Sequence, residues 1–136
     1  MTAFATVVQG DSAVKILIAD DSEILRKSLR SFLEAHSGWT VCGEAIDGRD
    51  AVQKAAELTP DVVLLDISMP NLDGFEAARR IRQRDPNAQI IFVTQHDSHE
   101  MAVRATQAGA RCYISKSRII RELVAAVEAA AKHPLN

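Results

Sequence analysis

Charge of one sign, long apolar runs, cysteine pairs at metal spacing and compositional bias are all missing from this sequence. Each absence excludes a class of protein. Lys and Arg number 16 against 18 Asp and Glu, a net charge of −2. That balance argues against a nucleic-acid binder acting by bulk charge and against a membrane-surface helix, while leaving room for a local basic patch. No apolar run approaches the ~20 residues of a membrane span. Residues 1–14 have neither a basic n-region nor a long apolar core, so they do not read as a signal peptide. The only two cysteines, Cys42 and Cys112, show no metal-ligand spacing. A reducing, cytoplasmic setting is the expectation. There is no internal repeat, no linker and no low-complexity stretch. Apolar residues at 47% and charged residues at 25% are close to a globular average, which sets aside disorder, collagen and coiled coil. A chain of 136 residues suits one domain and buries enough surface to fold without a metal or disulfide staple.

What is present is an alternation of two patterns. Strand-length apolar runs occur at Ile16–Ala19, Trp39–Gly43, Val62–Leu65, Ile90–Val93 and Cys112–Ile114. Between and after them, apolar residues recur at helical spacing: Ile24, Leu25, Leu29, Phe32 and Leu33; Ala51, Val52, Ala55 and Ala56; Phe75, Ala78 and Ile81; Met101, Ala102, Ala105 and Ala108; Ile120, Leu123, Val124 and Val127. Ser98 and Ser117 stand where helix N-caps belong, and Gly38 and Gly109 where helices stop. Pro60 and Pro86 fall between elements, and Pro134 ends the last helix. The pattern is (βα)5. Continuous apolar strands imply a parallel sheet covered on both faces. The doubly wound, flavodoxin-like strand order 2-1-3-4-5 fits, with the three most apolar strands in the middle. That order places Cys42 and Cys112 on opposite edge strands, about 19 Å apart at four strand spacings, beyond disulfide reach. Residues 1–14 read as a flexible arm and 133–136 as a short tail.

Ligands of open α/β sheets bind at the carboxyl ends of the strands. Here the first strand ends in Asp20-Asp21, the third in Asp66 and the fourth in Thr94, and the fifth runs into Lys116. Three carboxylates so close together repel one another. A hard cation with oxygen ligands, such as Mg²⁺, relieves that repulsion. A metal, a lysine and a hydroxyl around a central carboxylate describe a site for holding a phosphoryl group on Asp66. A lone Asp at a strand end is ordinarily a turn residue or a cap; only the conjunction points to a site.

The same residues carry a family resemblance. Asp20-Asp21, the run Asp66-Ile67-Ser68-Met69-Pro70-Asn71-Leu72-Asp73-Gly74 in the pattern D-x-x-M-P-x-x-D-G, Thr94, and Gly109 through Lys116 resemble the response-regulator receiver domains of two-component signalling, the CheY-like phosphoacceptors. The resemblance covers about Lys15 to Ala131 and implies a receiver domain over 15–132. It implies that Asp66 accepts a phosphoryl group from a histidine kinase or histidine phosphotransfer protein. Asp21 and Asp66 would ligate Mg²⁺ directly, Asp20 through water, and the backbone carbonyl of Ser68 would be a further ligand. Thr94 and Lys116 would contact the phosphoryl oxygens. Thr94 and Tyr113 would form a switch that reshapes the face of helix 4, strand 5 and helix 5 for a downstream protein target or a second copy of the chain. Direct nucleic-acid or membrane binding is not implied, and the domain is not an enzyme beyond assisting its own phosphoryl transfer and dephosphorylation.

Several residues depart from the family pattern. Lys116 is followed by Ser117, where proline is usual, and Thr94 by Gln95, where a small residue is usual. Ser68 and His96 occupy variable positions at the rim. His96, Asp97 and His99 read as a polar loop entering a helix. Arg79, Arg80, Arg82 and Arg84 read mainly as favourable charge at a helix C-terminus, with an anion or partner site as the alternative. Trp39 is expected to pack at the start of the second strand. A flavin-phosphate binder is disfavoured because Asp20-Asp21 would repel the phosphate. A haloacid-dehalogenase-type hydrolase is disfavoured because Ser68 stands where its general-acid Asp would be. The stretch Gly43 to Ala51 is similar to receivers joined to helix-turn-helix domains. The expectation is nevertheless a stand-alone regulator, the alternatives being the receiver of a longer DNA-binding regulator or a phosphorylation-impaired pseudo-receiver acting by protein binding.

Overall fold

A computed structural model describes residues 13–95 and 98–132. Most of the predicted arm, the tail with Pro134, and His96 and Asp97 lie outside the described residues. Five strands, β1 (Val14–Ala19), β2 (Trp39–Ala45), β3 (Val62–Asp66), β4 (Gln89–Thr94) and β5 (Cys112–Ser115), alternate with five helices, α1 (Glu23–Glu34), α2 (Gly48–Leu58), α3 (Gly74–Arg84), α4 (His99–Gln107) and α5 (Ile119–Lys132). All strand pairs are parallel, in the order β2-β1-β3-β4-β5. Among the described residues no helix is long and apolar enough to cross a membrane.

The strands are apolar throughout because both faces are covered. Val63 and Leu65 of β3 face α2, α3 and α4, while Val62 and Leu64 face α1 and α5. In β4, Ile90 and Phe92 take the first side and Ile91 and Val93 the second. The first four helices each begin on a side chain that accepts an otherwise unpaired N–H: Ser22 from Leu25, Asp47 from Asp50, Asp73 from Glu76 and Ser98 from Met101. Gly109, at φ +90°, follows α4 in the left-handed conformation.

Three sequence expectations shift. Helical spacing puts Ile24 and Ile120 on buried stripes, but they are 82% and 66% exposed. The inner face of α1 is Arg26, Leu29 and Leu33, and that of α5 is Ile119, Leu123, Val127 and Ala130. Ser117 does not cap a helix. It lies inside a 3-10 turn, Lys116–Arg118, and Ser115 is the cap. The second strand runs past Gly43 to Ala45, with a bulge: Ile16 pairs with Val41 but Leu17 with Gly43, leaving Cys42 as the extra residue. Trp39 packs at the start of β2 as expected, stacked on His36 with ring centroids 3.7 Å apart.

Candidate functional site

The carboxyl ends of β1, β3 and β5 bring Asp20, Asp21, Asp66 and Lys116 together. One carboxylate oxygen from each of the three aspartates lies within 4.8 Å of the others. Asp20 and Asp66 are buried and Asp21 is exposed. The Lys116 Nζ lies between the buried pair, 3.1 Å from Asp20 Oδ2 and 3.5 Å from Asp66 Oδ2. Asp20 Oδ1 accepts the Ser22 N–H at 2.8 Å, and Asp66 Oδ1 accepts the Ser68 N–H at 3.3 Å. A small pocket of about 160 Å³ opens above, lined by Asp21, Asp66, Ser68, Gln95 and Lys116.

One ammonium does not neutralise three carboxylates. Burial first, and the neighbouring Asp20 charge second, push the Asp66 carboxyl up from 3.8 to about 6, against the pull of Lys116 and the Ser68 N–H. Burial alone would lower Lys116, but Asp66 and Asp20 outweigh it and hold the ammonium above its ordinary pKa. The donors are all oxygen, and a set with three carboxylates and room for water suits a hard divalent cation. Asp20, Asp21 and Asp66 are the residues that could hold one.

Local geometry explains the acceptor motif. A side chain on Gly74 would place its Cβ 2.3 Å from the Asp66 carbonyl oxygen, so only glycine lets α3 start directly beneath the acceptor. Asp73 caps that helix. Asn71, at φ +71°, donates through Nδ2 to Asp47 Oδ2 at 2.7 Å, tying the acceptor loop to the start of α2. A Cβ on Gly48 would lie 1.9 Å from the Leu72 carbonyl oxygen, so the two loops meet backbone to backbone. The sequence singled out neither Asp47 nor the role of Asn71, because their contact spans 24 positions.

Thr94 ends β4 beside Ser115 of β5, almost wholly buried, while Gln95 is exposed on the pocket wall. Tyr113 pairs with Phe92, one step along the same face of the sheet, and packs half-buried against the core under α4. The Lys116–Ser117 peptide is trans. The Ser117 N–H, which proline would lack, reaches Ser115 Oγ at 3.4 Å, and the two hydroxyls lie 2.9 Å apart.

The family model for the response regulator receiver domain matches residues 16–128. The chain is 39% identical over 113 residues to the chemotaxis protein CheY of Thermotoga maritima, covering 80% of this chain and 93% of CheY. It is 37% identical over 119 residues to the uncharacterized transcriptional regulatory protein YxjL of Bacillus subtilis, covering 88% of this chain and 55% of YxjL. The chain therefore spans about half the length of YxjL and of several other curated relatives it matches. A LuxR-family two-component response regulator from Aurantimonas sp. SI85-9A1 superposes with a TM-score of 0.84 at 38% identity, covering 88% of this chain and 86% of that one.

Proposed function

The chain belongs to the response regulator receiver family, phosphoacceptor signalling domains rather than enzymes, and on that premise we propose that it accepts a phosphoryl group on Asp66. The observation that carries this reading is the Lys116 ammonium set between two buried carboxylates, with a third carboxylate and a small pocket open above them. A carboxylate oxygen of Asp66 would attack phosphorus on a phosphohistidine of a kinase or phosphotransfer protein. The P–O bond forms as the P–N bond breaks, and the imidazole leaves with the electron pair and takes up a proton. Asp66 must be ionised to attack; its carboxyl is pushed up to about 6 in the metal-free site, and a divalent cation beside it would favour the ionised form. Lys116 would hold a phosphoryl oxygen, and Thr94 would move toward another. Mg²⁺, held by Asp20, Asp21 and Asp66 with the Ser68 carbonyl, would supply neutralisation of the phosphoryl oxygens.

Tyr113 would turn inward when Thr94 moves, since both lie on the α4 side of the sheet. The α4–β5–α5 face would then present a different surface to a downstream protein or a second copy. We place the receiver at residues 15–132 and its work in the cytoplasm, without direct nucleic-acid or membrane contact by this domain. A second reading, the receiver of a longer transcriptional regulator, is favoured by the names and lengths of several relatives.

Intact-mass spectrometry after incubation with acetyl phosphate and Mg²⁺ tests the chemistry. We expect one phosphoryl adduct, absent in Asp66→Ala and after chelation. An unmodified wild type would make the chain a pseudo-receiver that signals by binding alone.

A further inference from the structure

The four arginines near the end of α3 have separate fates. Arg79 and Arg80 pair with Glu76, at 3.1 Å each. Arg82 Nη1 donates to the carbonyls of Pro86 and Ala88 at 2.7 and 2.9 Å. Arg84 is exposed and makes no ion pair among the described residues, and the same holds for Arg49 on α2. Arg49, Arg80 and Arg84 line one open groove of about 480 Å³ between α2 and α3. It adjoins a recess of about 340 Å³ floored by Val52, Ala56, Pro60 and Ile81. Two acids share this rim. Glu57 accepts from Gln53, and Asp85 accepts the Asn87 N–H.

We propose that the groove between α2 and α3 docks an acidic peptide segment of a partner protein, with one large apolar side chain seated in the recess and carboxylates on Arg49 and Arg84. The chemistry of the walls selects this occupant. Two guanidinium groups outside any ion pair among the described residues prefer planar carboxylates, which they can grip with two hydrogen bonds. The apolar floor supplies an anchor that a simple anion cannot use. The rim sets three arginines against Glu57 and Asp85, a small positive excess on a chain whose net charge is −2. The groove shares no lining residue with α1, α5 or the acceptor pocket, and does not use the face proposed for output.

The test is a titration of the isotope-labelled full chain, read by backbone amide shifts, with three probes: a glutamate–tyrosine copolymer, polyglutamate and a lysine–tyrosine copolymer. Saturable shifts confined to residues 49–57 and 80–88 are expected with the first probe. Polyglutamate should bind at least about tenfold more weakly, and the lysine copolymer should leave these residues unmoved. Arg49→Glu with Arg84→Glu should weaken binding of the first probe at least about tenfold while the remaining amide spectrum stays native. Ala56→Glu should do the same by filling the floor. Equal binding of polyglutamate would overturn the proposal in favour of simple anion attraction. Shifts elsewhere, indifference to both variants, or shifts at these residues that depend on protein concentration alone would overturn it as well.

Discussion

Two charged clusters sit at the carboxyl end of this sheet with opposite imbalances. Around Glu44, on β2, one carboxylate meets an excess of cations: Arg26 at 3.0 Å, Arg30 at 2.6 Å and Lys27 at 4.0 Å. Around Lys116 one cation meets three carboxylates. Burial pushes the Glu44 carboxyl up, but hydrogen bonds from Arg26 and Arg30 outweigh it and the net shift is downward. Asp66 goes the other way, to about 6. The clusters even touch, because Arg26 Nη1 donates to the Asp20 carbonyl at 2.8 Å. The lesson is that the same kind of residue does different work according to whether its charge is answered. The Glu44 cluster is complete and holds α1 to the sheet. The aspartate cluster is incomplete and gains stability only when something positive arrives.

The largest expected effect falls on the complete cluster. Glu44→Ala leaves the buried Arg26 without its carboxylate and should lower stability by about 3 kcal/mol in urea unfolding at pH 7. Asp66→Asn, at a more deeply buried site, should do the opposite and raise stability by about 2 kcal/mol in chelator at the same pH, because it removes a desolvated, repelled charge. If both substitutions destabilise, the contrast between the clusters fails.

The pH dependence sharpens it. A carboxyl whose folded pKa lies above its unfolded value binds its proton more tightly when folded. Asp66 therefore favours folding below pH 4, and that contribution is lost as pH rises from about 4 to about 6. Glu44, shifted downward, contributes stability that is present above its unfolded pKa of 4.5 and lost as pH falls below it. Metal-free Asp66→Asn should thus lack a decline between pH 4 and pH 6 that the wild type shows. A smaller effect follows from cation binding: Mg²⁺ at about ten times its Kd should stabilise the fold by about 1.4 kcal/mol, seen as a rise in Tm. Asp21→Ala should blunt that rise. The smallest expectation is Arg79→Ala, an exposed helix pair whose loss should stay within about 0.5 kcal/mol.

The alternation of strands and helices was readable because each strand is apolar on both faces and each helix on one. The site was readable for a related reason. Strand ends are marked by the change from apolar to polar residue, and parallel strands bring those ends to one edge. Period alone misled where adjacent apolar residues compete for the same face, as with Ile24 beside Leu25 and Ile119 beside Ile120. In α1 the inner position goes to Arg26, which a hydrophobic period does not credit, because Glu44 and the Asp20 carbonyl satisfy its guanidinium. The Asp47–Asn71 tie was hidden because it depends on two loops meeting in space.

The bulge at Cys42 explains how Glu44 comes to be where α1 needs it. Before the bulge, Trp39 and Val41 point toward α1 and α5. After it, Ala45 points toward α2, and Glu44 takes the α1 side. Strict alternation from Trp39 would have put Ala45 against Arg26 and Glu44 under α2. β2 is thus read in two frames, and the single supernumerary residue is what shifts one into the other. Its length, more than the chemistry of Cys42 itself, is what the outer edge of the sheet has to preserve.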